Sequence, residues 1–405
     1  MDSIKNPFAP GAGNRPPELA GRQDILDTAS VAIQRIKAGR ADRSPIIVGL
    51  RGVGKTVMLI EINHIATSVG CKTARTEAYE NTPIKHLLIP PLRKILLSLD
   101  STKAAGDAAG RGLRVLKSFL SGTKVKVGEI EISLDYPSEK GVADSGLLDA
   151  DLTDVFVALG EAAHAAKTAA VVIIDELQYL PEEELGALIM AIHRVSQDQL
   201  PVVLVGAGLP QLVGNAGRAK SYAERLFIFP ELGALSEADS AMALQEPARA
   251  ANAVFTDDAL AEIFKQTKGY PYFLQEWGSQ AWKAAATPTI GLDTVRKANK
   301  AAIASLDKSF FRVRFDRLTR REKDYLRALA ELGEGAQTTG DVSHLLGMKS
   351  VNFGALRNGL ITKGMIYAPL YGETAFTVPL FDEFMKREMP VLRGRPSRNY
   401  AKKHN

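Results

Sequence analysis

The 405-residue sequence predicts an α/β fold: a parallel sheet covered by helices on both faces, then an all-helical segment, then a module of three short helices and a β-hairpin. Three observations lead there. Uninterrupted Val/Ile runs alternate with stretches whose apolar residues recur every three to four positions, the pattern of strands buried on both faces and connected by crossover helices. A glycine-rich turn joins the first apolar run to a long helical stretch. After Pro230 the strand-like runs stop, and only helical periodicity follows as far as residue 308.

Taken in order, residues 1–20 hold Pro7, Pro10, Pro16 and Pro17 with Gly11 and Gly13, so a flexible arm without its own core is expected, with structure beginning near Leu19. Residues 24–38 place Ile25, Leu26, Ala29, Ile33 and Ile36 at helical spacing and are stopped by Gly39. Ile46, Ile47 and Val48 make the first strand, and residues 56–69 the helix beyond the glycine-rich turn. Strands at 72–79, 170–174, 201–205 and 226–229, with helices at 83–99, 151–166 and 181–195, complete a first domain at 21–232. The interval 101–146 breaks this rhythm and is expected to be an insertion with a hairpin strand at 124–135 and few helical caps.

A helical second domain at 233–308 opens with Ser236 three residues ahead of Asp239, and Thr256–Asp257 caps a later helix. The third unit, 309–390, begins with Thr319 and Glu322 as a capping box ahead of an amphipathic run to Leu332. Thr338 and Asp341 repeat the device before a short helix that Gly347 ends, and a third helix at 350–363 stops at Gly364. Residues 365–367 and 376–378 then flank a turn at 371–373. Three short helices followed by a hairpin are the layout of a winged helix-turn-helix. A basic tail at 391–405 closes the chain, and no repeat of 20–50 residues is visible.

Composition narrows the function classes. Hydrophobic residues at 45% and charged residues at 24% exclude disorder, collagen and coiled coil as the main state. The single cysteine, Cys71, excludes an internal disulfide, a zinc ribbon and an iron–sulfur cluster, and fits a reducing cytoplasm. No stretch approaches the roughly 18 apolar residues of a membrane helix, and the first 20 residues lack the apolar core of a signal peptide, so a cytoplasmic protein without membrane contact is expected. His64, His86, His164, His193 and His344 show no zinc-protease spacing, and Trp277 and Trp282 lie on a helical pattern that suits packing. Charge is uneven. Residues 308–405 hold 18 Lys/Arg against 10 Asp/Glu, an excess of +8, so the rest of the chain carries −3 within the total of +5. A basic C-terminal module favours a nucleic-acid partner.

Two stretches carry chemistry. Gly49, Leu50, Arg51, Gly52, Val53, Gly54, Lys55 and Thr56 fit G-x-x-x-x-G-K-[ST], directly after a predicted strand and before a predicted helix. Glycines let the backbone N–H groups converge on β- and γ-phosphate oxygens at a helix N-terminus. Lys55 adds a point charge there, and the Thr56 hydroxyl can ligate Mg²⁺. Val171 to Ile174 is a wholly apolar strand ending in Asp175 and Glu176, which puts two carboxylates at the C-terminal edge of a parallel sheet. Asp175 can hold the Mg²⁺ hydration shell, and Glu176 can orient and deprotonate an attacking water.

These residues resemble the AAA+ superfamily of P-loop NTPases. Residues 17–22, Pro-Glu-Leu-Ala-Gly-Arg, look like the segment that contacts adenine, which gives Arg22 a nucleotide-binding role by resemblance. The helical second domain resembles the superfamily's lid. Residues 269–274, Gly-Tyr-Pro-Tyr-Phe-Leu, followed by a winged helix, are similar to archaeal-type ATPases of the STAND and origin-recognition initiator groups. The resemblance spans residues 17–390 and implies Mg²⁺-dependent ATP hydrolysis in a nucleotide-dependent homo-oligomer. Two departures point to slow hydrolysis. Gly206, Ala207 and Gly208 stand where such an enzyme offers a polar sensor, and Tyr270, Pro271 and Tyr272 stand where the lid often offers an arginine. Arg225 and Arg218 are candidates for an arginine supplied to a neighbouring subunit.

In the C-terminal module, Asn352, Arg357, Asn358 and Lys363 are the polar residues of the third helix and the candidates for contact with double-stranded DNA. The hairpin turn, residues 369–374, holds no Lys or Arg, and winged helices also dock proteins. An ATP-loaded switch of the STAND kind, with little turnover and a protein partner, is therefore the alternative. Arg312, Arg314, Arg317, Arg320 and Arg321 cluster at the domain junction, where pairing with acidic residues of the ATPase domain is expected.

Overall fold

The apolar runs form a five-stranded parallel sheet whose order, with strands numbered along the chain, is 2-3-4-1-5. The computed structural model describes residues 1–11, 18–99, 103–121, 136–347, 353–370 and 372–392. The chain divides into two units. One is Arg22–Gly49 with Lys55–Leu232, and the other is Met1–Gly21 with Leu50–Gly54 and Gly233–Asn405.

The sheet-bearing unit runs α1 (Gln23–Lys37), β1 (Ser44–Val48), α2 (Lys55–Ser68), β2 (Lys72–Glu77), α3 (Ile84–Ser98), α4 (Lys103–Ser121), α5 (Leu148–Ala165) and β3 (Ala170–Asp175). It continues with α6 (Glu182–Gln197), β4 (Val202–Gly208), α7 (Gln211–Ala219), α8 (Ala223–Leu226) and β5 (Phe227–Ile228). Strands β1, β3 and β4 are buried throughout, whereas β2, an edge strand, buries only Ala74. Register aligns Ile174 of β3 and Ile46 of β1 with Gly206 of β4, so the strand ends that carry the two sequence motifs lie level with each other on either side of β4.

Strand β4 does not stop at residue 205 as expected but continues through Gly208. Its glycines admit a close neighbour: a Cβ at Gly206 would fall 2.3 Å from Leu177 Cδ1, and one at Gly208 would fall 2.8 Å from Gln178 Oε1. Leu177 and Gln178 belong to the 3-10 turn Leu177–Tyr179 that follows β3. Within the interval 101–146, residues 103–121 form a helix, α4, that the sequence pattern did not mark. Leu113, Val115, Leu116 and Phe119 of that helix are buried in one core with Val172 and Ile174. Gly112 allows the close crossing of α4 on α3, since a Cβ there would lie 2.6 Å from Leu96. Asp151, fully buried, then ties down the approach to α5 by accepting from Ser145 N (2.9 Å), Ser145 Oγ (2.6 Å) and Gly146 N (3.1 Å). The expected hairpin strand at 124–135 lies outside the described residues.

The second unit contains α9 (Glu237–Ala250), β6 (Val254–Phe255), α10 (Asp257–Thr267), α11 (Pro271–Ala284), β7 (Thr289–Ile290) and α12 (Leu292–Leu306). Ser236 caps α9 by accepting from Asp239 N at 3.1 Å. Thr256 sits at the N-cap of α10, but its hydroxyl donates to Asp258 Oδ1 instead of accepting from the helix. The expectation that structure begins near Leu19 is corrected. Phe8 is 4% exposed and packs edge-on to Phe255, while Asn6 donates to Ser279 Oγ and Trp282 Nε1 donates to Asp2 O.

A π-helical turn, Asp307–Phe311, leads to α13 (Arg312–Asp316), α14 (Arg320–Glu331), β8 (Gln337–Thr338), α15 (Thr339–Leu346), α16 (Gly354–Thr362), β9 (Ile366–Tyr367), β10 (Glu373–Phe376) and α17 (Phe381–Glu388). The Thr319–Glu322 capping box is present at α14, and Thr338 caps α15. Strands β8, β10 and β9 form an antiparallel sheet in that order. Phe311, Phe381 and Phe384 pack with ring centroids 5.3–5.6 Å apart and anchor α17. Among the described residues no helix is long and apolar enough to cross a membrane.

If α4 is part of the sheet's core, Phe119→Ala should cost about 3–5 kcal/mol through the cavity left behind. Urea unfolding checks this, and an unchanged midpoint would place α4 outside the core.

Candidate functional site

The strand ends of β1 and β3 bring Lys55, Thr56, Asp175 and Glu176 together. Lys55 is 6% exposed, and its Nζ donates to Gly49 O at 3.0 Å. Thr56 Oγ1 donates to Asp175 Oδ2 at 2.6 Å, and Asp175 Oδ1 accepts from Glu176 N at 2.8 Å. Burial raises the Asp175 carboxyl above the usual carboxylate range. The Thr56 hydroxyl and Lys55 oppose that rise, and the neighbouring Glu176 adds to it. A hydroxyl beside a buried carboxylate is a hard oxygen donor pair of the kind Mg²⁺ takes. Gly52 and Gly54 have φ of +85° and +101°, and a Cβ at Gly54 would meet nothing among the described residues within 4 Å. The loop therefore leaves room on that side for a phosphate group, and Lys55, Thr56 and Asp175 fit an Mg²⁺–nucleotide.

Glu176 has φ 55° and ψ 38°, left-handed values uncommon for a residue with a side chain. The 3-10 turn that follows places Gln178 where its Nε2 donates to Glu176 Oε2 and its Oε1 accepts from Leu209 N at 3.0 Å. Sequence reasoning did not single out Gln178. The available signal was an amide two residues after the carboxylate pair, facing a strand that ends in glycines.

Loop residues 50–54 group with the second unit, and Arg51 is held there by its own bonds. Its N–H donates to Thr377 O at 3.2 Å, its Nε donates to Gly364 O at 3.2 Å, and its carbonyl accepts from Tyr270 Oη. Tyr270 is 3% exposed, and burial pushes its hydroxyl well above the ordinary tyrosine range. Gly52 is similarly enclosed, since a Cβ there would lie 3.0 Å from the Tyr270 ring. Tyr270, read in the sequence as part of the 269–274 motif and as the absence of an arginine, is thus a structural partner of the loop.

The arginine cluster resolves into separate roles. Arg312 makes a bidentate pair with Glu388 at 2.7 and 2.6 Å, so its carboxylate partner lies in the C-terminal module and not, as expected, in residues 21–232. Arg314 stacks over Phe310 at 4.0 Å and is pushed down to about 10, first by burial and then by Arg51. Arg22 is 9% exposed at the start of α1. Arg225 is exposed on α8, and Arg218 on α7 contacts Asn215 Oδ1 at 2.6 Å and Glu182 at 3.6 Å.

Of the residues expected to meet DNA, Asn352 lies outside the described residues and Asn358 is exposed. The other two make bonds within the module. Arg357 donates to Thr374 Oγ1 at 2.9 Å and Glu373 O at 2.6 Å, tying α16 to β10. Lys363 bridges both oxygens of the capping-box Glu322 at 2.9 and 2.8 Å. Burial works against the Glu322 charge, but the bonds from Lys363 and Thr319 outweigh it and hold the carboxyl below its ordinary value.

Residues 18–205 match the family described as AAA ATPase domain, and residues 308–385 match a domain of unknown function, DUF8462. A search of curated proteins found no match. Among solved structures, the Walker-type ATPase of Pyrococcus abyssi is similar at 15% identity over 91% of this chain and 96% of that one, with a TM-score of 0.53. The ORC2 protein of Aeropyrum pernix, solved as ADPNP-ADP complexes, is similar at 17% identity over 94% and 98%, with a TM-score of 0.50. At these identities the likeness is one of fold.

Lys363→Met should lower stability by about 1 kcal/mol at neutral pH, a charged hydrogen bond discounted because the Lys363 side chain is 34% exposed. A depressed carboxyl contributes above its unfolded value and loses that contribution as pH falls through its folded value. The difference from the parent should therefore vanish in acid. Thermal melts across pH check this, and an equal deficit at low pH would show that the lysine acts through packing.

Proposed function

We propose that this chain, whose residues 18–205 carry a AAA ATPase domain, binds ATP with Mg²⁺, hydrolyses it slowly and passes nucleotide state to its C-terminal module. The observation that carries the reading is the 2.6 Å contact of Thr56 with Asp175, beside buried Lys55 at the C-terminal edge of a parallel sheet. Backbone N–H groups of the 49–56 loop and the start of α2 receive phosphate oxygens. Lys55 exchanges the Gly49 carbonyl for a phosphate and so keeps a charged partner. Thr56 and Asp175 hold Mg²⁺, which neutralises charge on the transferred phosphoryl group. Glu176 orients and deprotonates water, and Arg22 borders the adenine. Turnover is slow because β4 ends in Gly206, Ala207 and Gly208 with no polar sensor side chain. Exposed Arg225 is the arginine given to a neighbour in a nucleotide-dependent homo-oligomer.

The C-terminal module has the helix and strand order of a winged helix, and its exposed Arg320, Arg321 and Asn358 are the groups available to duplex DNA. The internal bonds of Arg357 and Lys363 favour a second reading, an ATP-loaded switch whose module docks a protein.

By calorimetry, Lys55→Ala should abolish ATP binding, because several negative oxygens would lose their buried cation. Glu176→Gln should bind ATP normally and lose turnover. Mixing it with Arg225→Ala should restore some phosphate release, since each subunit supplies what the other lacks. Equal ATP affinity in Lys55→Ala and the parent would remove the site assignment, and a strictly monomeric protein in saturating ATP and Mg²⁺ would remove the role of Arg225.

For the module, the full chain with ATP should retard duplex DNA at about 50 mM salt with a log–log slope of about −4 to −6. Arg320→Ala with Arg321→Ala should flatten that slope. No retardation of any duplex makes protein docking the function of the module.

A further inference from the structure

We propose that Gln178 is a positioning residue for Glu176, filling from the turn after β3 the place that a polar side chain on β4 would otherwise take. The inference rests on the ATPase reading above. Glu176 stands at the end of β3 in a left-handed conformation, and the 3-10 turn is closed by Tyr179 N donating to Glu176 O at 3.0 Å and Leu180 N donating to Leu177 O at 3.1 Å. That turn folds the Gln178 amide back between two strand ends. Its Nε2 donates to Glu176 Oε2, and its Oε1 accepts from the N–H of Leu209, the residue directly after β4. One end of the amide is thus fixed to backbone that cannot shift without the strand, and the other end holds the carboxylate.

The glycines of β4 are the second observation. A Cβ at Gly206 would overlap Leu177 Cδ1 at 2.3 Å, and a Cβ at Gly208 would crowd both Leu212 Cδ2 at 2.7 Å and Gln178 Oε1 at 2.8 Å. The strand gives up side chains at the two positions where the turn is seated. Gly208, one of the residues that look like a missing sensor, therefore leaves room for this amide, and Gly206 leaves room for Leu177 beside it.

In the reaction the water oxygen bonds to the γ-phosphorus as the bond to the ADP oxygen breaks, and the water proton passes to the Glu176 carboxylate. A base does this only when it is held within hydrogen-bond reach of the water. An unrestrained glutamate samples several rotamers, and Gln178 selects one of them.

The test uses the full chain and two variants. Gln178→Glu keeps an acceptor for the Leu209 N–H but faces Glu176 with a carboxylate oxygen in place of a donor, and Gln178→Ala removes both contacts. Both should lower kcat by about 10- to 100-fold, with KM and ATP affinity within about twofold of the parent. In the Glu176→Gln background, Gln178→Glu should reduce the residual rate no further, whereas a general structural defect would lower it again. A kcat within about twofold of the parent for Gln178→Glu, where Glu176→Gln keeps only a small residual rate, overturns the role of Gln178 and leaves the ATPase reading standing. A parent that binds ATP but releases no phosphate overturns both.

Discussion

Two charges withdrawn from water at the ends of β1 and β3 constrain the rest of the structure. Lys55 and Asp175 are 6% and 7% exposed, and charged groups this deep are costly unless hydrogen-bonded. The chain supplies those bonds locally, through the Gly49 carbonyl and the Thr56 hydroxyl. Both partners are held where they are because β1, β4 and β3 are adjacent and in register. The sheet order, the positive-φ glycines of the loop and the buried apolar strands can all be traced to keeping this small polar cluster intact inside an apolar setting.

Much of this was legible because its causes are local. Val171 to Ile174 has to be a buried strand whatever surrounds it, and the loop pattern needs glycine where φ is positive, as it is at Gly52 and Gly54. Capping is local too, and Thr319 with Glu322 and Thr338 with Asp341 behave as their spacing requires. What stayed hidden depends on partners distant in sequence. Gly206 and Gly208 read as a missing sensor beyond the strand until Leu177 and Gln178 are seen against them. The proline-rich start of the chain suggests an arm, yet Phe8 finds its pocket some 250 residues away, beside Phe255.

The polar face of α16 shows the same limit from the other direction. Arg357 and Lys363 belong to a helix that pattern alone would aim at a ligand, but each is spent on internal architecture. Arg357 joins α16 to the hairpin, and Lys363 neutralises the capping carboxylate of α14. Charge counted along a sequence overstates what a surface offers, because a cation engaged in a bidentate or capping contact contributes little field outside the fold. The excess of +8 in residues 308–405 is therefore divided between construction and recognition.

The seat of Phe8 also bears on how this sequence can drift. A Cβ at Gly278 would lie 2.7 Å from the Phe8 ring, so a glycine mid-helix in α11, where it lowers helix propensity, admits that ring. Positions 8 and 278 are then a matched pair. A lineage that shortens the aromatic is released to restore alanine at 278, and one that keeps the aromatic is not. Natural variation at the two sites should be correlated although 270 positions separate them.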